Sequence, residues 1–265
     1  MAKDSIMTFD KYIDNPSGGA AVYTNRQMYK DLYKAKFDKI LLREGGKVNY
    51  TIYRSNDAQD SYYIHMKIPS EVIDKFYYDV VVRLYTKDNA LKASVRMRNY
   101  KVQFYSNDPA FVYTHAHAFA KNNLFIEDLK PRMTRESLNS VAKVRNPKDN
   151  VWYVKSIFFA YLTMEKYNLF TRTILNQNAV KYNARTLMRN ITPAAEKVRA
   201  RQEAGEKLEK EKRKEHEKQV KAAHDALIAN SKHSSPVTKI TSSVKTVSTT
   251  KRTKTTRANK KVGKV

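Results

Sequence analysis

The sequence predicts an α+β protein: a small antiparallel sheet followed by a helical segment, then a long solvated helix and a disordered basic tail. Three observations carry that prediction. Apolar residues alternate with period two from Val48 to Tyr105, capping signals and helical spacing take over after Tyr105, and beyond Thr192 large apolar residues become too sparse to build a core. The chain accordingly divides into an N-terminal loop and helix (1–46), an α+β globular core (47–192), an extended charged helix (193–230) and a tail rich in Lys, Arg, Ser and Thr (231–265).

In the first segment "NPSGGAA" is a loop by its Pro and Gly content, and a helix follows it. Thr24 or Asn25 suits its cap, Met28, Leu32, Phe37 and Leu41 share roughly helical spacing, and Gly45 and Gly46 end it. Strand signals come next. Val48, Tyr50 and Ile52 fall on one face, as do Tyr62, Ile64, Met66 and Ile68; "YYDVVVRLY" and "ASVRMRNYKVQFY" add two more strands, joined by a hairpin at Asp88 and Asn89.

After the sheet, Asp108 and Pro109 stand where a helix wants its N-cap and its first residue. A second helix is expected in "TRESLNSVAKVR", stopped by Asn146 and Pro147, and a third in "VWYVKSIFFAYLTMEKYNLF". That third segment is apolar over most of its circumference between Ile157 and Met164, which places it in the core. Thr192 and Pro193 open the long helix, rich in strong helix formers and in i,i+4 pairs such as Glu203 with Lys207 and Glu217 with Lys221.

Charge narrows the classes of partner. The 265 residues hold 51 Lys and Arg against 26 Asp and Glu, a formal net charge of +25, which favours polyanions. Cysteine is absent, so neither a disulfide framework nor a thiolate zinc site exists. The N-terminus has acids among its first residues and no apolar h-region, and no apolar run approaches the roughly 20 residues that span a bilayer, so neither a secretory signal nor a membrane is expected.

Within the tail, Lys245, Lys251, Arg252, Lys254, Arg257, Lys260, Lys261 and Lys264 stand without a single acid between Ser231 and Val265. Such a segment buries too little to offset its ordering entropy, and it suits sequence-independent phosphate contact; a solubilising tail or attraction to an acidic protein would use the same residues. Two further basic groups are candidates. Lys181, Arg185 and Arg189 make one stripe if residues 178–190 are helical, and Arg83, Arg96 and Arg98 point outward beside Tyr85 or Tyr105 if Val95 and Met97 face the core. Each group has a plainer reading, the charged outer face of an amphipathic helix and the wet side of an antiparallel sheet.

His115 and His117 alternate with Phe111, Tyr113 and Phe119. On a strand they share a face, and on a helix they diverge by about 200°, so packing rather than a metal is expected. No phosphate-binding loop, H-E-x-x-H or G-x-S-x-G is present, and neither catalysis, a cofactor nor a metal is expected; a nuclease whose acids converge only in space is the competing reading.

"RNYKVQFYSNDPAFVYTHAHAFAKNNL" and "NPKDNVWYVKSIFFAYLTMEKYNLF" resemble stretches of small structural proteins of tailed bacteriophages, a likeness of residue usage over residues 96–170 that assigns no functional residue. It implies a non-enzymatic component of a virion near the capsid vertex or neck, with DNA and other virion proteins as partners, a homo-oligomeric state, and a location in the virion or host cytoplasm. A free nucleic-acid-binding protein is the alternative.

Overall fold

The computed structural model describes residues 7–14, 26–55, 60–86, 97–143, 146–149, 151 and 154–232. The fold is α+β, as the alternation and the capping signals predict. Its centre is a five-stranded sheet of β1 (Tyr50–Arg54), β2 (Tyr62–Pro69), β3 (Tyr77–Tyr85), β4 (Lys101–Ser106) and β5 (Ala179–Lys181), in the order β4-β3-β2-β1-β5. The first four strands are antiparallel neighbours, in a register that sets Tyr53, Tyr63, Arg83 and Gln103 in one row. β5 runs parallel to β1, with Lys181 opposite Arg54.

One face of the sheet is apolar because the period-two positions make it so. Ile52, Ile64, Met66, Ile68, Val80, Val82 and Phe104 are buried there. Against them pack α6 (Lys155–Lys166), buried continuously from Ser156 to Met164, and α1 (Phe9–Asp14). Phe9 meets Phe104 and Tyr161 edge-on at 5.0 and 5.2 Å between ring centroids, the geometry that aromatic quadrupoles favour. α2 (Arg26–Arg43) lies on α6 through Phe37, with Ile40 and Leu41 also buried. Leu32 of the expected stripe is 47 % exposed instead. Gly45 and Gly46 both take φ of +79°, and the Gly46 N–H reaches back to the Leu41 carbonyl, so these glycines do end the helix.

Helix starts follow their caps. Asp108 Oδ1 accepts from the Ala110 N–H at 3.0 Å ahead of α3 (Pro109–Thr114), as expected, and α4 (Ala116–Lys121) follows after a break at His115. Thr134 caps α5 (Arg135–Asn139), which is shorter than "TRESLNSVAKVR" implied because the backbone is already extended at Ser140. α7 spans Arg172–Asn178, and α8 (Ala184–Asn190) is capped by Asn183.

The opposite sheet face carries the polar residues of the alternation, and it is covered rather than wet. A 3-10 segment, Glu127–Arg132, and α8 close it: Tyr182 stacks on Tyr63 at 4.1 Å, and both hydroxyls donate to Asp128. Beneath this cover lies Asp79, wholly buried. Its Oδ1 meets His65 Nε2 at 2.7 Å and Lys67 Nζ at 2.5 Å, while Oδ2 accepts from Asn107 Nδ2 at 2.8 Å and from the Thr192 N–H at 3.1 Å. The Thr192 carbonyl accepts from Asn107 in turn, so the entry to α9 (Ala194–Lys232) is fastened to β3 through its backbone.

The fold divides at Arg213, with residues up to Arg213 in one unit and Lys214 onward in a second. α9 is 39 residues long, about 58 Å at 1.5 Å per residue. Ala194 and Val198 are buried at its start, and residues 209–228 are exposed, in keeping with a solvated helix. No helix among the described residues is long and apolar enough to cross a membrane.

Burial alone would raise the Asp79 pKa, but hydrogen bonds from His65 and Lys67 and their charges overcome it and hold the carboxyl at about 2. Its folded pKa lies below the unfolded one, so this stabilisation is complete above about pH 4 and is lost as pH falls toward 2. Asp79→Asn, which strips the charge from between Lys67 and His65, is expected to cost about 3 kcal/mol in urea denaturation at pH 7. The deficit should narrow as the pH is taken from 4 to 2; an equal deficit at both pH values contradicts the assignment.

Candidate nucleic-acid interface

Of the basic residues singled out in the sequence, those in the tail (Lys245, Lys251, Arg252, Lys254, Arg257, Lys260, Lys261 and Lys264) lie outside the described residues, as does Arg96. The others fall into two kinds. Some are spent on holding the fold, and some stand in solvent.

Arg98 belongs to the first kind. It sits in a 3-10 turn, Met97–Asn99, and not on a strand, since β4 begins only at Lys101. Met97 is buried as expected, but the turn swings the arginine inward. Its Nη1 donates to Asp10 Oδ1 at 3.1 Å and to Tyr161 Oη at 2.7 Å, and Nη2 donates to Glu165 Oε1 at 3.3 Å, with the guanidinium 4.3 Å from the Phe170 ring centre. Arg98 therefore joins α1 to α6. The outward-facing phosphate clamp is not formed here.

Arg83 is on β3 as expected, yet the face it points to is closed. Its Nη1 donates to Gln103 Oε1 at 2.9 Å and its Nη2 to Ser61 Oγ at 3.0 Å, between the rings of Tyr63 and Tyr85 at 5.3 and 4.7 Å. Tyr85 is beside the arginine as the alternation implied, whereas Tyr105 is fully buried and burial pushes its hydroxyl far above the ordinary range. The wet-sheet picture fails because it needs an open face, and residues 123–132 and α8 occupy that face.

Lys181, Arg185 and Arg189 are exposed, and none has an ion-pair partner among the described residues. They do not make a single helical stripe. Val180 and Lys181 extend β5 beside β1, and only Arg185 and Arg189, one turn apart on α8, share a face. An edge strand gains from a lysine that discourages further pairing, so Lys181 has a local role there as well. α8 packs on the 3-10 segment that carries Lys130 and Arg132, which brings two more cations to these elements. Sequence spacing gave no sign of them, because the contact joins residues about 55 apart in the chain.

Only His117 is on a helix, α4, and His115 sits in the break between α3 and α4, so the two share neither a strand face nor a helix. His115 is buried, and burial pushes its pKa down to about 4, so the ring is neutral at pH 7. His117 Nδ1 meets Asp149 Oδ1 at 2.8 Å, and Lys121 closes on the other oxygen at 3.2 Å. Among the described residues no group of three or more His, Asp or Glu side chains is placed to hold a metal ion.

Comparison of the chain with family models, with curated proteins and with solved structures finds no match.

The two kinds of arginine separate in experiment. Arg98→Ala removes hydrogen bonds to two carboxylates and a tyrosine, and is expected to lower stability by about 2 kcal/mol while leaving duplex DNA affinity within twofold. Arg185→Ala with Arg189→Ala should leave the unfolding midpoint unchanged within about 0.5 kcal/mol. An Arg98→Ala protein of native stability contradicts the assigned role.

Proposed function

We propose that this chain is a non-catalytic structural protein of a phage particle, acting in capsid or neck assembly, whose folded part docks with other proteins and whose C-terminal segment contacts DNA. The observation that supports it is the distribution of charge. Residues 231–265 carry ten Lys or Arg and no acid, whereas residues 194–230 carry ten against eight acids. A segment of one sign is suited to a polymer of the other sign, and the balanced helix before it is suited to water.

Binding of this kind is driven by counterion release, so it is tight at low salt, indifferent to base sequence and steeply salt-dependent, with log K falling by roughly 0.9 per log unit of salt for each phosphate neutralised. Arg185 and Arg189 supply a second, smaller set of contacts, suited to positioning along a backbone. Homo-oligomerisation belongs to the same reading, since virion components act in closed symmetric assemblies.

The test is a duplex DNA titration from low to high salt with the full chain and with residues 231–265 removed. Truncation is expected to abolish at least half of the salt slope and to weaken binding by 100-fold or more at low salt. Unchanged binding after truncation refutes the role of the tail. A light-scattering mass that corresponds to a stable oligomer supports the assembly half of the reading, and a monomer at all concentrations counts against it.

A further inference from the structure

A cleft of about 560 Å³ opens between the end of β2, the start of α3, the start of α6 and the first turns of α9, all within residues 1–213. Its volume lies in the range of built ligand sites. Ile68 and Phe159 give it an apolar wall, and the Tyr78 hydroxyl lies on its polar side. We propose that this cleft is a docking pocket for a segment of a partner protein that carries a large apolar side chain next to a carboxylate.

The charge of the lining selects the carboxylate. Arg201 is pinned by its Nε on the Tyr78 hydroxyl at 2.9 Å, which leaves both terminal nitrogens of the fork without an ion-pair partner among the described residues. Lys143, also lining the cleft, has none either. The acids of the lining are already engaged. Glu71 is paired with Lys155 and with Lys36, and Asp108 spends Oδ1 on the cap of α3 while burial pushes its carboxyl upward. Arg201 also acts at longer range on Asp108, and with Lys143 it gives the lining exposed positive charge; a planar fork fixed at one nitrogen offers its other two to a carboxylate.

The rim selects a protein over a small molecule. Val72 and Tyr113 line the cleft yet are 60 % and 56 % exposed, and Val141, next to the lining residue Ala142, is exposed as well. A buried small ligand would leave these apolar side chains in water, whereas a polypeptide crossing the mouth covers them. The inference rests on the assembly half of the proposed function and uses none of its DNA half.

The experiment titrates the full chain with a fluorescein-labelled peptide, Glu-Phe-Asp-Phe with blocked ends, alongside the same peptide with Lys in place of the two acids, and with phenylacetate as competitor. Saturable binding of the acidic peptide is expected, at least tenfold tighter than the basic one. Arg201→Glu should weaken it at least tenfold and Tyr113→Ala at least threefold, with circular-dichroism melting curves retained. Should Arg201→Glu melt early, Val72→Glu at the exposed rim replaces it, with the same tenfold loss expected. Equal binding of both peptides, no saturable binding, or affinity untouched by these substitutions overturns the proposal. Phenylacetate that displaces the peptide with equal affinity also overturns it, by making the cleft a small-molecule site. DNA titrations of the same variants are expected to be unchanged, which keeps a failure here distinct from a failure of the DNA reading.

Discussion

A carboxylate with no access to water organises the polar side of this fold. An ionised Asp79 in that position would be intolerable alone, since transfer of a lone charge into the interior costs many kcal/mol. It becomes tenable because His65 and Lys67 from β2, Asn107 from the chain after β4 and the backbone of Thr192 all converge on its two oxygens. Four separate segments are thereby held at one point, and the backbone just ahead of α9 is fastened there. The apolar face needs no such device, because area buried between α6 and the strands is stabilising without regard to direction.

The same economy of charge runs through the folded part. Residues before Ala194 hold 31 Lys and Arg against 18 acids, yet several of the arginines are committed. Arg98 ties α1 to α6, Arg172 and Arg54 share Asp60, and Arg43 holds the turn after β2 through the Ser70 and Glu71 carbonyls. Arginine suits such work because its fork spans two acceptors at once. A count of basic residues therefore overstates what the folded surface offers to a phosphate backbone, and the weight of the proposed DNA contact falls on α8 and on the segment after Lys232.

Local chemistry was legible from the sequence. Asp108 before Pro109, the Gly45-Gly46 stop and the continuous apolar run of α6 each state their structure within a few residues, and the four antiparallel strands follow from alternation. What was not legible depends on contacts far apart in the chain. Nothing in "NAVKYNARTLMRNI" distinguishes a helix from a short strand followed by a helix until β1 supplies the edge that Ala179–Lys181 joins. Phe9 and Tyr12 look like ordinary lead-in residues until α6 and β4 surround them. Arg83 and Arg98 were misplaced for one reason: alternation says which side of a strand a residue is on, not whether another layer covers that side or whether the strand has yet begun. Asp79, the most consequential residue, read as one acid in an apolar strand. Its position among β-branched residues was the signal that a buried partner must exist.

In the proposed function DNA affinity resides in the unbalanced C-terminal segment and the folded part positions it. The most direct measurement is a ¹H–¹⁵N correlation spectrum of the full chain titrated with a short duplex of arbitrary sequence. Amides of residues 233–265 are expected to move or broaden first and recover as salt is added, with Arg185 and Arg189 following and the amides around Asp79, Arg83 and Arg98 unmoved. Perturbation centred on the sheet, with the signals of residues 233–265 left where they were, would contradict it.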